Sequence, residues 1–201
     1  MSSPAPMPAS DCGKAIPKGF SYEDMLRYGE VEQGVIRIGG AVREKDAETW
    51  LREIAKIKAA GHKTCKLIIS SPGGGAYPSL ALYDALRDLS DSGCKIEALV
   101  EGCAASAAAM IILQAADVRR TRSHSRFLLH ECRRWVFWSV ERTSDIRDEA
   151  KEMEALSKTI WALLAARCGK SVAEVEAAIE RKEVWMAAEE AKEWGLIDEI
   201  V

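Results

Sequence analysis

The chain has 201 residues, 48% of them hydrophobic, and a formal net charge of −3. That size and composition suit one domain able to bury a real core. The small negative charge excludes a general electrostatic pull toward nucleic acid or an anionic membrane.

Six cysteines (Cys12, Cys65, Cys94, Cys103, Cys132 and Cys168) are scattered without a C-x-x-C pair or zinc spacing. This pattern predicts reduced thiols, a cytoplasmic location, and neither a metal nor a cofactor. No apolar run reaches the length of a membrane span, and no charged-then-apolar signal pattern opens the chain.

In chain order, residues 1–18 are rich in Pro, Ser and Ala and are expected to form a flexible tail, with a single domain over 19–201. Phe20–Tyr28 suits a short helix. Gly34–Ile38 reads as a strand closed by Gly39-Gly40. Glu44–Ala60 carries Trp50, Ile54 and Ile57 at helical spacing, and Gly61 stops it. Lys66–Ser70 is a buried strand, followed by the turn Ser71-Pro72-Gly73-Gly74-Gly75 and a helix over Leu80–Leu89. Lys95–Val100 is the next strand, and Gly102 breaks into a small-residue helix, Ala107–Ala115. A short strand near Val118 and the apolar strand Arg126–His130 come next. Glu141–Arg167 repeats apolar residues three or four apart, a long helix able to project toward other subunits. Ser171 to Glu174 is a capping box for another helix. Trp185-Met186 is extended, Ala188–Trp194 is helical, and Leu196–Val201 is a last strand. Strand, turn and helix therefore alternate three times, which predicts an α/β domain with a mostly parallel sheet.

The basic run Arg119-Arg120-Thr121-Arg122 is read as solvated strand ends or an oligomer contact. Ser106 stands where a strand turns into a helix. Such a bend presents a hydroxyl at the positive end of the helix dipole, beside N–H groups that lack intrahelical partners. A buried helix start with Ser as N-cap is the plain alternative. A hydroxyl nucleophile needs a base. Of the three histidines, His62 and His124 lie in polar connections, whereas His130 ends an apolar strand, where parallel sheets bind ligands. The glycines after Pro72 let a ligand approach the backbone, and no P-loop Lys-Ser/Thr follows them.

Four stretches resemble one family. Ile68-Ile69-Ser70-Ser71-Pro72-Gly73-Gly74 is similar to the Asn-Ser-Pro-Gly-Gly motif of the Clp protease proteolytic subunit (ClpP) family. Glu101–Ala107 resembles its Gly-x-Ala-Ala-Ser nucleophile motif, and Phe127-Leu128-Leu129-His130 the strand ending in its catalytic His. Ala188–Asp198 is close to the family's C-terminal segment. The resemblance implies a crotonase/ClpP-like α/β fold with a long handle helix, and serine endopeptidase chemistry on unfolded or exposed protein segments. It implies Ser106 as nucleophile, His130 as general base, and backbone N–H groups of Gly73 and Ala107 as the oxyanion hole. Gly74, Glu131 and Trp135 would contact substrate. A homo-oligomeric ring, a heptamer or stacked double ring, is implied too. An AAA+ unfoldase or phage capsid proteins are the candidate partners beyond the peptide substrate.

Departures from the family are informative. The family's third triad member, an Asp, falls on Glu183, which is either a triad acid or a solvated carboxylate paired with Arg181 or Lys182. Glu-x-Trp there and Ala-Ala-Ser-Ala at the nucleophile resemble the phage or prophage head-maturation branch. Trp135 and Trp138 replace a Gly-rich stretch. Two rivals stay open: a catalytically impaired scaffold subunit, and a crotonase-fold enzyme acting on an acyl thioester. A Cys103 nucleophile is the weaker third.

Overall fold

The computed structural model describes residues 21–133 and 142–201. The expected tail (1–18) and the expected substrate contact Trp135 lie outside the described residues.

Helix α1 (Tyr22–Glu32) opens with a capping box between Ser21 and Asp24. It leads to β1 (Val35–Gly39), α2 (Glu44–Ala60), β2 (Thr64–Ser71) and α3 (Ala76–Asp91). Next come β3 (Lys95–Ala105), β4 (Val118–Thr121) and β5 (Arg126–His130). Helix α4 (Thr143–Cys168) precedes α5 (Val172–Ile179), β6 (Glu183–Ala187), α6 (Ala188–Trp194) and β7 (Glu199–Ile200).

Strand alternation drives the sheet. In β2, Cys65, Leu67 and Ile69 face inward and are fully buried, while Thr64, Lys66 and Ser70 face out. Ile36 and Ile38 of β1 and Ile96, Ala98 and Val100 of β3 continue the same core. Burying each large aliphatic side chain contributes roughly 1.5–3 kcal/mol. Helix α2 adds Trp50, Ile54 and Ile57 and ends at Gly61, whose φ of 69° is the left-handed conformation of a helix C-cap.

The strands β1-β2-β3-β4-β7 form a parallel sheet in that order. β3 is long enough to serve two neighbours. Its first part, Glu97–Val100, pairs with β4, and its end, Cys103–Ala105, pairs with β5. β6 then adds antiparallel to β5, placing Glu183 opposite His130. The fold is thus the mixed α/β architecture with a parallel sheet, consistent with a crotonase/ClpP-like fold.

Three expectations change. Gly102 does not end β3: it takes a φ of 79° within the strand, beside a register shift against β2, and the strand runs on to Ala105. The helix expected over 107–115 is a π-helical turn, Ala108–Ile112, followed by a 3₁₀ turn, Leu113–Ala115. Of the basic run, Arg122 is exposed as a solvated strand end would be, but Arg119 and Arg120 are paired. Arg119 is buried, with its guanidinium on Asp198 Oδ1 at 2.5 Å and Gln114 Oε1 at 2.7 Å, and Arg120 bridges Glu97 and Glu199. These pairs tie the C-terminal strand to β4, because a buried cation needs such partners.

Candidate active site

The site begins with backbone geometry. Ser106 has a φ of 54°. Among the described residues only Ser106 and Arg181 combine a side chain with positive φ. That conformation is strained for L-residues and persists where neighbours impose it. Here Ser106 N–H donates to the Leu128 carbonyl of β5 (2.8 Å), and the Ser106 carbonyl accepts from Ala109 N–H (3.0 Å) and Met110 N–H (2.9 Å). Both ends of the bend are therefore held, and Ser106 lines a cavity of about 790 Å³.

The glycine turn lies directly against this bend. A Cβ on Gly73 would sit 2.5 Å from the Ala105 carbonyl oxygen, 2.8 Å from Ser106 Cβ and 2.9 Å from Ala107 N. No side chain fits there. A Cβ on Gly74 would meet Val42 N at 2.7 Å. The turn is pinned to the segment after β1 by Val42 N–H to the Gly73 carbonyl (2.8 Å) and Gly75 N–H to the Val42 carbonyl (2.9 Å). Ser71 Oγ, buried beneath it, donates to the Gly40 carbonyl at 2.6 Å and accepts from Gly73 N–H at 3.1 Å. Gly73 N–H, expected to serve the oxyanion hole, is thus engaged by Ser71. The next N–H, that of Gly74, and the N–H of Ala107 have no acceptor among the described residues.

The far wall of the cavity comes from α4. Met153, Leu156, Ser157, Ile160 and Trp161 line it, opposite Met110 and Ile111. These α4 positions share a face by the helical period. Tyr77 donates to Glu152 at 2.6 Å and bridges the start of α3 to α4 across the cleft. The apolar period of α4 was visible in the sequence, but its role as a cleft wall was not, because a periodic stripe does not say what it faces.

His130 lies half-buried at the end of β5 and lines the same cavity as Ser106. Its Nδ1 meets the carbonyl oxygen of Glu131. A carbonyl only accepts, so in the neutral imidazole the proton sits on Nδ1 and the lone pair on Nε2. No hydrogen bond joins Ser106 Oγ to His130 or His130 to Glu183. Glu183 faces His130 across the β5–β6 pair, but its carboxylate is bonded to the guanidinium of Arg133. Arg133 holds the Glu183 carboxyl below the usual carboxylate range, and the nearby His130 adds a smaller pull. The Glu183 partner is therefore Arg133, rather than Arg181 or Lys182.

Of the expected substrate contacts, Gly74 and Glu131 line the cavity. The Glu131 carboxylate also accepts the backbone N–H of Arg181. Cys103 does not line the cavity, and burial pushes its thiol pKa up, which works against a thiolate there. The roles of Arg133 and Ser71 were not legible in the sequence: the Ser-Pro-Gly-Gly motif does not say which N–H the Ser71 hydroxyl takes, and Arg133 meets its partner Glu183 from 50 residues away. Among the described residues no group of three or more His, Cys, Asp or Glu is placed to hold a metal ion, and no helix is long and apolar enough to cross a membrane.

Comparison with known proteins agrees with this geometry. Residues 23–201 match the Clp protease family. The chain is 30% identical over 169 residues to an ATP-dependent Clp protease proteolytic subunit of Bacteroides fragilis, covering 83% of this chain and 78% of that protein. It is 29% identical over 203 residues to proteolytic subunit 1 of Streptomyces avermitilis, covering 98% and 88%. Against proteolytic subunit 1 of Salinibacter ruber the identity is 27% over 173 residues, covering 85% and 71%. With a parallel sheet, a strained serine bend packed on a Ser-Pro-Gly-Gly turn, and a match over nearly its whole described length, the chain belongs to the Clp protease family.

Proposed function

We propose that the protein is a serine endopeptidase of ClpP type, cutting unfolded or exposed segments of other proteins. The observation that carries this reading is the strained Ser106 bend, pressed against the glycine turn inside the cavity that also holds His130. His130 Nε2 takes the Ser106 proton as Oγ attacks the peptide carbonyl. The resulting oxyanion is held by N–H groups. Ala107 supplies one, and Gly74 supplies the other, because Gly73 N–H is already satisfied by Ser71. Each such donor is worth roughly 100- to 1,000-fold in rate. His130 then protonates the leaving amine, and water releases the acyl-enzyme by the same route. Glu183, opposite His130 in the β5–β6 register, would be the carboxylate that stabilises the imidazolium that forms.

Assembly belongs to the same reading. Helix α1 leaves Tyr22 and Leu26 exposed one turn apart, and α4 leaves Ile146 exposed, apolar surface suited to a homo-oligomeric ring. The Glu-x-Trp at Glu183 and the Ala-Ala-Ser-Ala at Ser106 support the phage head-maturation branch, with capsid proteins as substrate. The relatives named above are ATP-dependent, which supports an unfoldase ATPase as the competing partner and the cytoplasm as the setting.

The test is labelling by a serine-reactive fluorophosphonate, with a casein or peptide assay alongside. The wild-type protein is expected to label and cut, and Ser106→Ala to do neither. Equal labelling of the variant overturns the assignment. The second reading is a catalytically impaired subunit, favoured by one observation: His130 and Glu183 are not joined. It predicts a folded, ring-forming protein that neither labels nor cuts.

A further inference from the structure

Two residues just after β5, Glu131 and Arg133, make three contacts at once. The Glu131 carbonyl occupies His130 Nδ1. The Glu131 carboxylate takes Arg181 N–H, at the second strained residue of the chain. The Arg133 guanidinium takes the Glu183 carboxylate. The exit of β5 is therefore clamped to the entry of β6 by two contacts at the His130–Glu183 end of the strand pair. Direct cross-strand partners on one sheet face have Cβ atoms about 4.5–5.5 Å apart, close enough for a Glu to reach a His. Register alone would join these two side chains. What keeps them apart is a competing acceptor on the His and a competing cation on the Glu.

We infer that Arg133 is a positioning residue that holds Glu183 off His130, so that full activity requires Arg133 to release it. This inference rests on the serine peptidase reading. In the clamped arrangement His130 keeps the tautomer of a base, because the Glu131 carbonyl fixes the proton on Nδ1. It lacks the carboxylate that would stabilise its charged form in the transition state. Arg133 is also reachable. It lines the substrate cavity and a side pocket of about 170 Å³ that holds Glu183, Arg181 and Lys182. A polypeptide entering the cleft beside His130 meets the guanidinium, and a carboxylate on that polypeptide competes with Glu183 for it. The Arg133 and Glu183 side chains are each about half exposed (52% and 49%), so the pair is weak enough to exchange.

The experiment compares wild type, Arg133→Gln, Glu183→Gln and the double variant, each checked for folding by thermal melting. The first readout is the rate of fluorophosphonate labelling. Arg133→Gln is expected to label about two- to five-fold faster, the range that loss of an exposed ion pair allows. The double variant is expected to lose that gain. The second readout is the NMR resonance of the His130 Nδ1 proton. It is expected to move downfield in Arg133→Gln, as a carboxylate replaces the carbonyl, and to stay put in the double variant. If wild type labels but Arg133→Gln neither speeds labelling nor moves the resonance, the inference is overturned and the peptidase reading stands. If wild type fails to label while the resonance moves as expected, Arg133 holds Glu183 as inferred and the peptidase reading is the one that fails. Slower labelling of Arg133→Gln with an unmoved resonance also overturns it, by making Arg133 a supporting group.

Discussion

The two ends of the catalytic cleft are built in opposite ways. At the Ser106 end the geometry is carried by backbone. The bend is held by three main-chain hydrogen bonds, the glycine turn by two more, and Ser71 is locked beneath it. Packing that close leaves no room for a side chain on Gly73. At the His130 end the geometry is carried by the Glu131 carbonyl on His130 and by charged side chains, with Glu131 on the Arg181 N–H and the exposed Arg133 on the exposed Glu183. The difference teaches where each part of the reaction is decided. In the proposed mechanism, oxyanion binding is set when the chain folds, and activation of the base stays adjustable.

Breaking the rigid end has the largest effects. Ser106→Ala removes the proposed nucleophile, and fluorophosphonate labelling and peptide cleavage are both expected to vanish while the melting temperature changes little. Gly73→Ala comes next. Its Cβ collides with the Ala105 carbonyl, Ser106 Cβ and Ala107 N, so the bend must shift. Cleavage is expected to fall roughly 100-fold or more, since an oxyanion donor is displaced with it. Steady-state kinetics that show only a modest loss would mean the turn yields, and the contrast between the two ends would weaken. Ser71→Ala is milder. It strips a buried hydrogen bond from Gly73 N–H and removes the donor to the Gly40 carbonyl, a cost of about 1–3 kcal/mol. Denaturant unfolding measures that cost. Freed of Ser71, the glycine turn is expected to lose activity as well.

The adjustable end responds to solution conditions, with the smallest effects. Salt screens exposed ion pairs. Raising ionic strength is expected to speed labelling of wild type by up to about two-fold, and to leave Arg133→Gln unchanged. For pH the sign follows from Arg133, which lowers the folded-state pKa of Glu183. The ion pair contributes above the unfolded pKa of a glutamate and is lost as pH falls through the lower, folded value. Acid melting curves of Arg133→Gln are thus expected to converge on those of wild type only below the usual carboxylate range. Curves that converge at higher pH would show that Arg133 does not carry the pair.

Local patterns were legible where local physics decides. The ends of α2 are where the apolar period and Gly61 place them, because a glycine with positive φ stops a helix whatever lies beyond it. The capping box of Ser171 and Glu174 likewise starts α5. Ser106, His130 and the Ser-Pro-Gly-Gly turn stood out as motifs, and the fold brings all three to one cavity. What stayed hidden depends on partners far away in the chain. Gly102 looks like a strand end until β5 is there to pair with Cys103–Ala105. Arg119 looks solvated until Asp198, 79 residues later, accepts from it.

The small residues around Ser106, the glycines after Pro72 and the alternation of strand and helix are written into the chain, because steric room and hydrophobic period are properties of neighbouring residues. Which N–H faces the cleft, and which cation holds Glu183, are not. Ser71 takes the Gly73 N–H within its own turn but is anchored on the Gly40 carbonyl 31 residues away, and Arg133 meets Glu183 50 residues on, since hydrogen bonds and ion pairs are settled by distance in space and by competition among all acceptors within reach.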